Sequence, residues 1–359
     1  MSGVLPNQEI EKLVEIGAIT SDTPLEPEQI QPASLDMRLG GRAFRIRASF
    51  LPGRHEKVNE RLKSLKMHEI DLREGSVLEK GCVYLVPLLE ELKLPRDIQA
   101  AANAKSSTGR LDLLTRVITD SGEEFDRVSS GYNGKLYAEI CPRSFSVLVR
   151  KGMKLNQIRF RNKNTTLNDE DLRALHTQEN LVPGNAIIDD GLGFSVDLRP
   201  SKGDLVGFRA KPHTGIIDLD LIDHYNPAEF WDEIRTSRGE IILDPGAFYI
   251  LVSRESVHIP PSYAAEMAPY VSMVGEFRVH YAGFFDPGFG HNAAGGSGAR
   301  GVLEVRCHEA PFVLEHGQVV GRLIYEKMSY QPTKLYGQGV KSNYQGQGLK
   351  LSKHFKKSY

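Results

Sequence analysis

The sequence repeats itself once, and this repeat limits the fold more than any other feature. Seven residues recur at a single spacing of 165 positions. They are Leu78, Gly81, Tyr84, Pro95, Ser107, Glu139 and Gly152, which recur as Leu243, Gly246, Tyr249, Pro260, Ser272, Glu304 and Gly317. Solenoid repeats are only about 20–50 residues long, so a period of this length indicates a duplicated domain. We therefore expect two related units in one chain.

Both halves show the pattern of short β-strands. Brief runs rich in Val, Ile, Leu, Phe and Tyr, such as Val83–Val86 and Phe248–Val252, are separated by Gly, Pro, Asn or charged turns. This rhythm is typical of a sandwich or barrel. The prediction is an all-β protein with a few short helices.

The domain boundaries follow from changes in composition. Residues 161–185 are polar and rich in Asn, Thr and Asp, and the final stretch is rich in Gly and Gln. We predict a first domain at 1–165, a linker at 166–185, a second domain at 186–335 and a C-terminal arm at 336–359. The alternative for the arm is a disordered terminus.

Charge and cysteine usage exclude several classes of partner. Forty-five basic and 46 acidic residues give a net charge of -1, so no overall field attracts nucleic acid or a membrane surface. Three widely spaced cysteines form neither a disulfide framework nor a C-x-x-C site. The chain begins with no basic region followed by an apolar run. A cytoplasmic location is expected.

The segment Lys105-Ser-Ser-Thr-Gly-Arg110 has the composition of a phosphate-binding site. Adjacent hydroxyls, a glycine and an arginine place several hydrogen-bond donors around an oxyanion. An ordinary polar turn is the alternative, because Ser and Gly are common in turns. The matching region of the second half has lost the paired serines and the arginine.

Two repeated glutamates are candidates for acid–base chemistry. Glu139 and Glu304 lie in strand-like segments where apolar residues alternate, so each points to the face opposite the apolar set. Such residues are commonly solvent-facing acids on an outer sheet face. Retention of both in otherwise diverging segments also fits a proton shuttle.

Metal-dependent chemistry is not indicated by the sequence. The segment Cys307-His308-Glu309 has no second ligand cluster, and the zinc-deaminase signature H-x-E with P-C-x-x-C is absent. We expect no metal ligands and no zinc.

Taken together, these segments resemble the dCTP deaminases of the trimeric dUTPase superfamily. The resemblance covers the opening 30–40, the motif 105–110, the hairpin 282–290 and the tail 344–352. It implies two tandem dUTPase-like β-barrel or jelly-roll domains. It also implies hydrolytic deamination of dCTP to dUTP and ammonia without zinc, by glutamate-activated water, which feeds dUMP and dTTP synthesis.

The resemblance assigns roles to residues of this chain. It implies that the triphosphate is bound by Ser106, Ser107 and Arg110, with Lys105 as a basic neighbour. It implies that the nucleoside is read by a hairpin and enclosed by an arm. The hairpin candidates are Ala282, Asp286 and Phe289, with Tyr132 in the first half, and the arm candidates are Tyr344, Gln347 and Lys350.

The resemblance also implies the ligands and the assembly. Mg2+ would arrive with the substrate triphosphate, since it binds mainly phosphate and water oxygens. The implied partners are dCTP-, dUTP- and dTTP-type nucleotides and further copies of this chain, with a trimer as the first assembly to consider.

The two halves have diverged in complementary ways, which predicts a composite site. The first half would supply the phosphate motif, and the second would supply the hairpin, Glu304 and the arm. The competing arrangement makes Glu139 catalytic, although Ser129 replaces the hairpin aspartate in the first half. Two other functions remain open: a dUTPase or bifunctional enzyme in which Asp286 activates water, and a nucleotide-sensing binding protein.

Overall fold

A computed structural model describes residues 2–201, 203–269, 277–280, 283–338 and 346–357. The chain divides into two compact units. The first comprises Met1–Asn164 with Gly215–Ile222, and the second comprises Thr165–Thr214 with Asp223–Tyr359. Strands outnumber short helices in both, which confirms the all-β prediction. Within the described ranges, no helix is long and apolar enough to cross a bilayer.

The first unit is built from short strands and three small helices within its described residues. The helices are α1 (Asn7–Glu15), α2 (Val58–Leu65) and α3 (Ser106–Gly109). The strands are β1 (Ile19–Ser21), β2 (Ile30–Gln31), β3 (Ser34–Arg38), β4 (Arg42–Ile46), β5 (Lys66–Asp71), β6 (Ser76–Leu78), β7 (Val83–Lys93), β8 (Gln99–Ala104), β9 (Leu113–Thr119), β10 (Arg127–Val128), β11 (Asn133–Pro142), β12 (Val147–Val149) and β13 (Lys154–Arg161).

These strands form two main sheets. One has the order β5-β4-β7-β11-β9, with β1 also paired to β7, and the other has the order β10-β8-β13-β3-β2. The central strands alternate buried apolar residues such as Leu85, Ile118 and Tyr137, as expected for strands that cover a core on one face.

The second unit has the same kind of architecture. Its helices are α4 (Asp169–Glu179), α5 (Pro227–Phe230) and a short 3-10 turn, Asn292–Ala294. Its strands are β14 (Leu192–Ser195), β15 (Leu205–Ala210), β17 (Trp231–Arg235), β18 (Glu240–Leu243), β19 (Phe248–Val257), β20 (Tyr263–Pro269), β21 (Phe277–His280), β22 (Phe284–Phe285), β23 (Ala299–Cys307), β24 (Phe312–Glu315) and β25 (Val319–Lys327). The sheets have the orders β14-β25-β20-β22, β17-β15-β19-β23-β21 and β18-β24.

Strand pairing reproduces the sequence repeat. Glu139 of β11 lies opposite Leu85 of β7, and Glu304 of β23 lies opposite Ile250 of β19, so both partners keep the 165-residue spacing. The pairing of β13 with β8 also matches that of β25 with β20, because both partners are again 165 residues apart in the two pairs of strands. The duplication therefore extends from isolated residues to hydrogen-bond register.

A repeated tyrosine fixes the same turn in each unit. The hydroxyl of Tyr84 accepts a 3.0 Å hydrogen bond from the amide of Glu79, and that of Tyr249 accepts a 2.7 Å bond from the amide of Asp244. In both units the tyrosine hydroxyl satisfies a backbone donor five residues earlier. This explains why the tyrosine recurs in the sequence.

The segment predicted as a linker, 166–185, lies within the second unit and contributes to its core. Its helix α4 begins at Asn168, whose side chain accepts a 2.8 Å bond from the amide of Asp171. Leu172 and Leu175, one turn apart, are buried with Leu181 in the apolar core. The polar composition of the segment belongs to the exposed side of the helix.

A short strand from the second half of the sequence completes a sheet of the first unit. Strand β16 (Ile217–Asp218) pairs in parallel with β12, which also pairs with β6. The pairing is reinforced by Arg150, whose guanidinium lies 2.6 Å from Asp218 and 2.7 Å from Asp220. This insertion was not predictable from the sequence, because a strand of two residues leaves no periodic signal.

Candidate active site

The predicted phosphate motif forms a single helical turn after β8. Lys105 has an extended backbone and precedes α3, while Ser107 and Arg110 are buried. The amino group of Lys105 forms an ion pair with Asp36 of β3. The structure therefore places Lys105, Ser106, Ser107 and Arg110 together on one compact turn. Lys105, which precedes this turn, is held by the carboxylate of Asp36.

Strand β3 carries a second buried ion pair next to Asp36. Arg38 donates from its backbone amide and its Nε to the carboxylate of Glu90, each at 2.8 Å. Gln29 donates to the same carboxylate at 3.0 Å and to the carbonyl of Asp36 at 2.8 Å. This network holds β3, whose Asp36 pairs with Lys105, and it was not predicted from the sequence.

Glu139 is buried and tied to an arginine. It lies on β11 directly opposite Arg116 of β9, and the two side chains form an ion pair. The guanidinium of Arg116 stacks 3.6 Å above the ring of Phe125 and donates to Ser49 at 3.0 Å. Glu139 is only 2 % exposed, so it is not a solvent-facing acid.

Glu304 occupies the equivalent position on β23 of the second unit and is 4 % exposed. Its register neighbours are Ile250 on β19 and His280 on β21. Both repeated glutamates are thus buried in the middle of a sheet, but an arginine lies opposite only the first of them in these registers.

Of the hairpin predicted to read the nucleoside, 282–290, the structure describes residues 283–290, which include β22. Asp286 and Phe289 are both buried in the turn that follows, and Ala282 lies outside the described residues. The ring of Phe289 packs edge-on against Phe285, with centroids 5.2 Å apart, and lies 5.4 Å from the ring of Tyr336. Phe289 belongs to the apolar core of the second unit, and its predicted contact with deoxyribose stays a prediction.

Tyr132 supports its own loop in the first unit. Its hydroxyl donates to the carbonyl of Lys135 at 2.6 Å and accepts from the amide of Asp120 at 3.0 Å. Burial raises the pKa of Tyr132. These bonds give the side chain a structural role, and its predicted sugar contact stays a prediction.

Two histidines lie beside the second-unit hairpin. The rings of His258 and His291 are 6.4 Å apart, and His291 lies 3.4 Å from the carboxylate of Glu179 on α4. Burial and the neighbouring His291 lower the pKa of His258, against an opposing backbone hydrogen bond with Gly290. Sequence reasoning missed this pair because its members are 33 positions apart in the chain and carry no motif.

The described residues of the C-terminal arm contact the rest of the second unit at several places, beginning with Tyr336 against Phe289. Gln347 accepts a 3.0 Å bond from the amide of Arg300 and donates one of 3.1 Å from its side chain to the carbonyl of Arg300. Further on, Phe355 is buried among aromatic rings, 5.5 Å from Phe230 and 5.9 Å from Trp231. Lys350 is half-buried, and Tyr344 lies outside the described residues.

Arg300 is itself held by a carboxylate. Its guanidinium forms an ion pair with Asp197, and its Nε donates to the carbonyl of Ser253 at 2.6 Å. Burial disfavours ionisation of Asp197, but hydrogen bonds from Arg300 and from the amide of Arg199 outweigh this effect and lower the pKa of Asp197. Arg300 therefore faces an ionised partner at neutral pH.

Metal coordination by the protein finds no support in the described part of the chain. No group of three or more His, Cys, Asp or Glu side chains there is arranged to hold a metal ion. The three cysteines form no disulfide, and Cys307 is buried.

Comparisons with known proteins agree with the sequence resemblance. The family model for the 2'-deoxycytidine 5'-triphosphate deaminase (DCD) N-terminal domain matches residues 1–164, and the model for the C-terminal domain matches residues 168–355. The crystal structure of 2'-deoxycytidine 5'-triphosphate deaminase from Agrobacterium tumefaciens is similar with a TM-score of 0.88 and 52% sequence identity, over 91% of this chain and 99% of that one.

Shorter relatives match part of this chain. A dCTP deaminase, dUMP-forming, of Nanoarchaeum equitans is 33% identical over 154 residues, which are 38% of this chain and 72% of that protein. A dCTP deaminase of Haemophilus influenzae is 31% identical over 142 residues, 38% of this chain and 70% of that protein. Similarity to these relatives is therefore concentrated in less than half of this chain.

Proposed function

The chain belongs to the 2'-deoxycytidine 5'-triphosphate deaminase family, and from that membership we propose that it deaminates dCTP hydrolytically to dUTP and ammonia. It is an enzyme of the hydrolytic deaminase class. Its substrates are proposed to be Mg2+-bound deoxynucleoside triphosphates, with the ion supplied as part of the substrate.

We assign the proton transfer to Glu304. The observation that supports this assignment is the ion pair that holds the other repeated glutamate, Glu139. The carboxylate of Glu139 is held by Arg116, which is in turn stacked on Phe125. A proton shuttle must turn its carboxylate toward the reacting atoms, whereas the carboxylate of Glu139 is bound to a guanidinium in a fixed position. We therefore assign a structural role to Glu139 and the proton transfer to its repeat, Glu304.

The proposed reaction needs one carboxylate and one water molecule. Glu304 takes a proton from water as the water oxygen bonds to C4 of cytosine, and it passes that proton to N3. The hydroxyl proton of the adduct then moves through the same carboxylate to the amino group. The C4–N bond breaks, ammonia leaves and uracil forms. A positioned acid–base group contributes about 10²–10⁴-fold to such a step.

The phosphate motif is proposed to bind the triphosphate. Ser106, Ser107 and Arg110 share one turn, and Arg110 is permanently cationic. The ion pair of Lys105 with Asp36 orients the cation at the entry to this turn. The reaction is proposed to proceed without zinc, with a glutamate activating the water.

Paired substitutions test the assignment. We expect Glu304→Gln to lower kcat for dCTP by about 10²–10⁴-fold, and Glu139→Gln to retain activity within about threefold. Separation of products after incubation with dCTP and Mg2+ identifies the reaction, since ammonia and dUTP report deamination alone. Loss of activity in Glu139→Gln with retention in Glu304→Gln would reverse the assignment.

A dUMP-forming reaction is the second candidate. The Nanoarchaeum equitans relative bears that description, and Asp286 is buried in the hairpin turn, where a carboxylate could activate water for attack on the α-phosphate. Appearance of dUMP and pyrophosphate from dCTP, abolished by Asp286→Asn, would establish it.

The number of sites is a separate prediction. Complementary divergence of the halves predicts one nucleotide site per chain, and the homo-oligomer stays a prediction. Calorimetric titration with a non-hydrolysable dCTP analogue on the Glu304→Gln variant counts the sites. Two sites per chain would contradict the division of roles between the halves.

A further inference from the structure

The segment Ser34-Leu-Asp-Met-Arg38 of the first unit recurs as Ser195-Val-Asp-Leu-Arg199 in the second, and its aspartate makes the same kind of contact in both units. In the first unit Asp36 forms an ion pair with Lys105, at the entry to the phosphate motif. In the second unit Asp197 forms an ion pair with Arg300, at the start of the strand that carries Glu304. Each aspartate thus holds a cation in a segment to which a nucleotide role is assigned.

The surroundings of Asp197 are built to hold Arg300 in one orientation. Asp197 is 7% exposed, and its carboxylate also accepts a 3.0 Å bond from the amide of Arg199. Nδ1 of His316 lies 3.4 Å from the same carboxylate. Because the buried carboxylate accepts from both Arg300 and the amide of Arg199, it stays in place and can direct the guanidinium.

A bulge in β19 supplies the second attachment of Arg300. Pairing between β19 and β23 shifts between Val252 and Ser256, which leaves Ser253 outside the regular ladder. The carbonyl of Ser253 accepts from Nε of Arg300 at 2.6 Å, and its hydroxyl accepts from the amide of Gly301 at 2.9 Å. Bulges commonly redirect side chains in this way near functional sites.

With its side chain fixed, Arg300 presents its backbone to the arm. Its amide donates to the carbonyl of Gln347 at 3.0 Å, and its carbonyl accepts from the side chain of Gln347 at 3.1 Å. Arg300 and Glu304 are four residues apart on β23, on the same face of the strand and roughly 13 Å apart along it. The strand that carries the glutamate thus also carries an attachment point of the arm.

We propose that Arg300 is a positioning residue that couples the C-terminal arm to the strand of Glu304. Asp197 fixes its side chain, and its backbone amide and carbonyl form hydrogen bonds with Gln347. The inference rests on the proposed function, because it gives the arm a role at the nucleotide. Arg300 acts through Gln347 rather than on substrate, since its guanidinium is already bound to Asp197 and to the carbonyl of Ser253.

Three variants test the coupling: Arg300→Met, Arg300→Lys and Asp197→Asn. Arg235→Met is the matched control, because Arg235 lies in the same unit on β17 and makes exposed ion pairs with Asp204 and Glu233. The measurements are KM and kcat for dCTP and hydrogen exchange of the arm peptide that contains residues 346–357, all on the full chain.

We expect Arg300→Met and Asp197→Asn each to raise KM about tenfold, the effect of losing one or two hydrogen bonds, while kcat at saturating dCTP changes less than threefold. Amide exchange near Gln347 should become faster in both. Arg300→Lys should recover part of the KM effect, and Arg235→Met should match the wild type in every measurement.

Several results would overturn the coupling. Unchanged KM and arm exchange in Arg300→Met would do so. An effect of Arg300→Met without any effect of Asp197→Asn would show that Arg300 contacts the nucleotide directly. If Arg300→Met does not fold, Gln347→Ala, which removes only the side-chain half of the contact, should show the same faster exchange and higher KM, and wild-type values would refute the proposal.

Failure of the proposed function is recognised separately. A wild-type enzyme that does not convert dCTP would refute the deaminase assignment. The exchange measurements on the arm would still decide whether Arg300 and Asp197 hold Gln347.

Discussion

The buried ion pair between Arg38 and Glu90 allows a quantitative test of how β3 is held in the first unit. Glu90 is fully buried, and its carboxylate accepts two 2.8 Å bonds from Arg38 and one 3.0 Å bond from Gln29. The substitution Glu90→Ala removes all three hydrogen bonds. It leaves the guanidinium of Arg38, whose side chain is 4% exposed, without its countercharge.

The expected loss follows from this burial. Removing one partner of a buried ion pair costs about 3–5 kcal/mol, because the remaining charge is uncompensated. A domain of this size shifts its melting temperature by about 2–4 °C per kcal/mol, so Glu90→Ala should lower Tm of the first unit by roughly 6–20 °C. The exposed pair of Arg42 with Glu69, at 3.2 Å, is the control, and Glu69→Ala should cost less than about 1 kcal/mol.

Differential scanning calorimetry of the full chain measures both shifts. A Tm of Glu90→Ala no lower than that of Glu69→Ala would refute the reasoning. The double variant Arg38→Met/Glu90→Leu should recover much of the loss, because apolar replacement of both partners removes the unpaired charge. If the double variant were as unstable as Glu90→Ala, packing rather than charge would explain the loss.

Two further outcomes follow from the second unit. The pKa of His258 is lowered in the folded state, so its contribution to stability is present above the ordinary value near 6.5 and is lost as the pH falls through that value toward the folded pKa. The Tm should therefore fall more steeply between pH 7 and 5 in the wild type than in His258→Gln, and parallel curves would refute this. Phe355→Ala removes a ring buried against Phe230 and Trp231, which costs about 3–5 kcal/mol locally, and should speed tryptic cleavage at Lys353. Unchanged cleavage would show that the aromatic contacts do not retain the arm.

Features with a repeating or local signal were predictable from the sequence. The recurrence of Glu139 as Glu304 correctly indicated equivalent strands, because residues that hold one register are kept together in both copies. Alternation of apolar residues around each glutamate correctly indicated strands. It did not reveal burial, because a covered sheet face and an exposed one have the same period of two.

Features made by distant side chains were not predictable. The pairing of Asp197 with Arg300 joins residues 103 positions apart, and no pattern in the sequence links the two. The ion pair of Glu139 with Arg116 depends on which residues face each other across β9 and β11. The sequence alone does not reveal this register. The arm was recognised by its Gly and Gln content, but its attachment through Phe355 depends on aromatic rings more than 120 residues earlier.

The inserted strand β16 has a consequence for synthesis on the ribosome. The first unit includes Gly215–Ile222, which follow its main segment by roughly 50 residues. At about 5–20 residues per second, translation of that stretch takes several seconds. During this time β12 has β6 on one side and still lacks the strand that completes its sheet. The nascent first unit therefore waits for a part of the second half before it can finish folding.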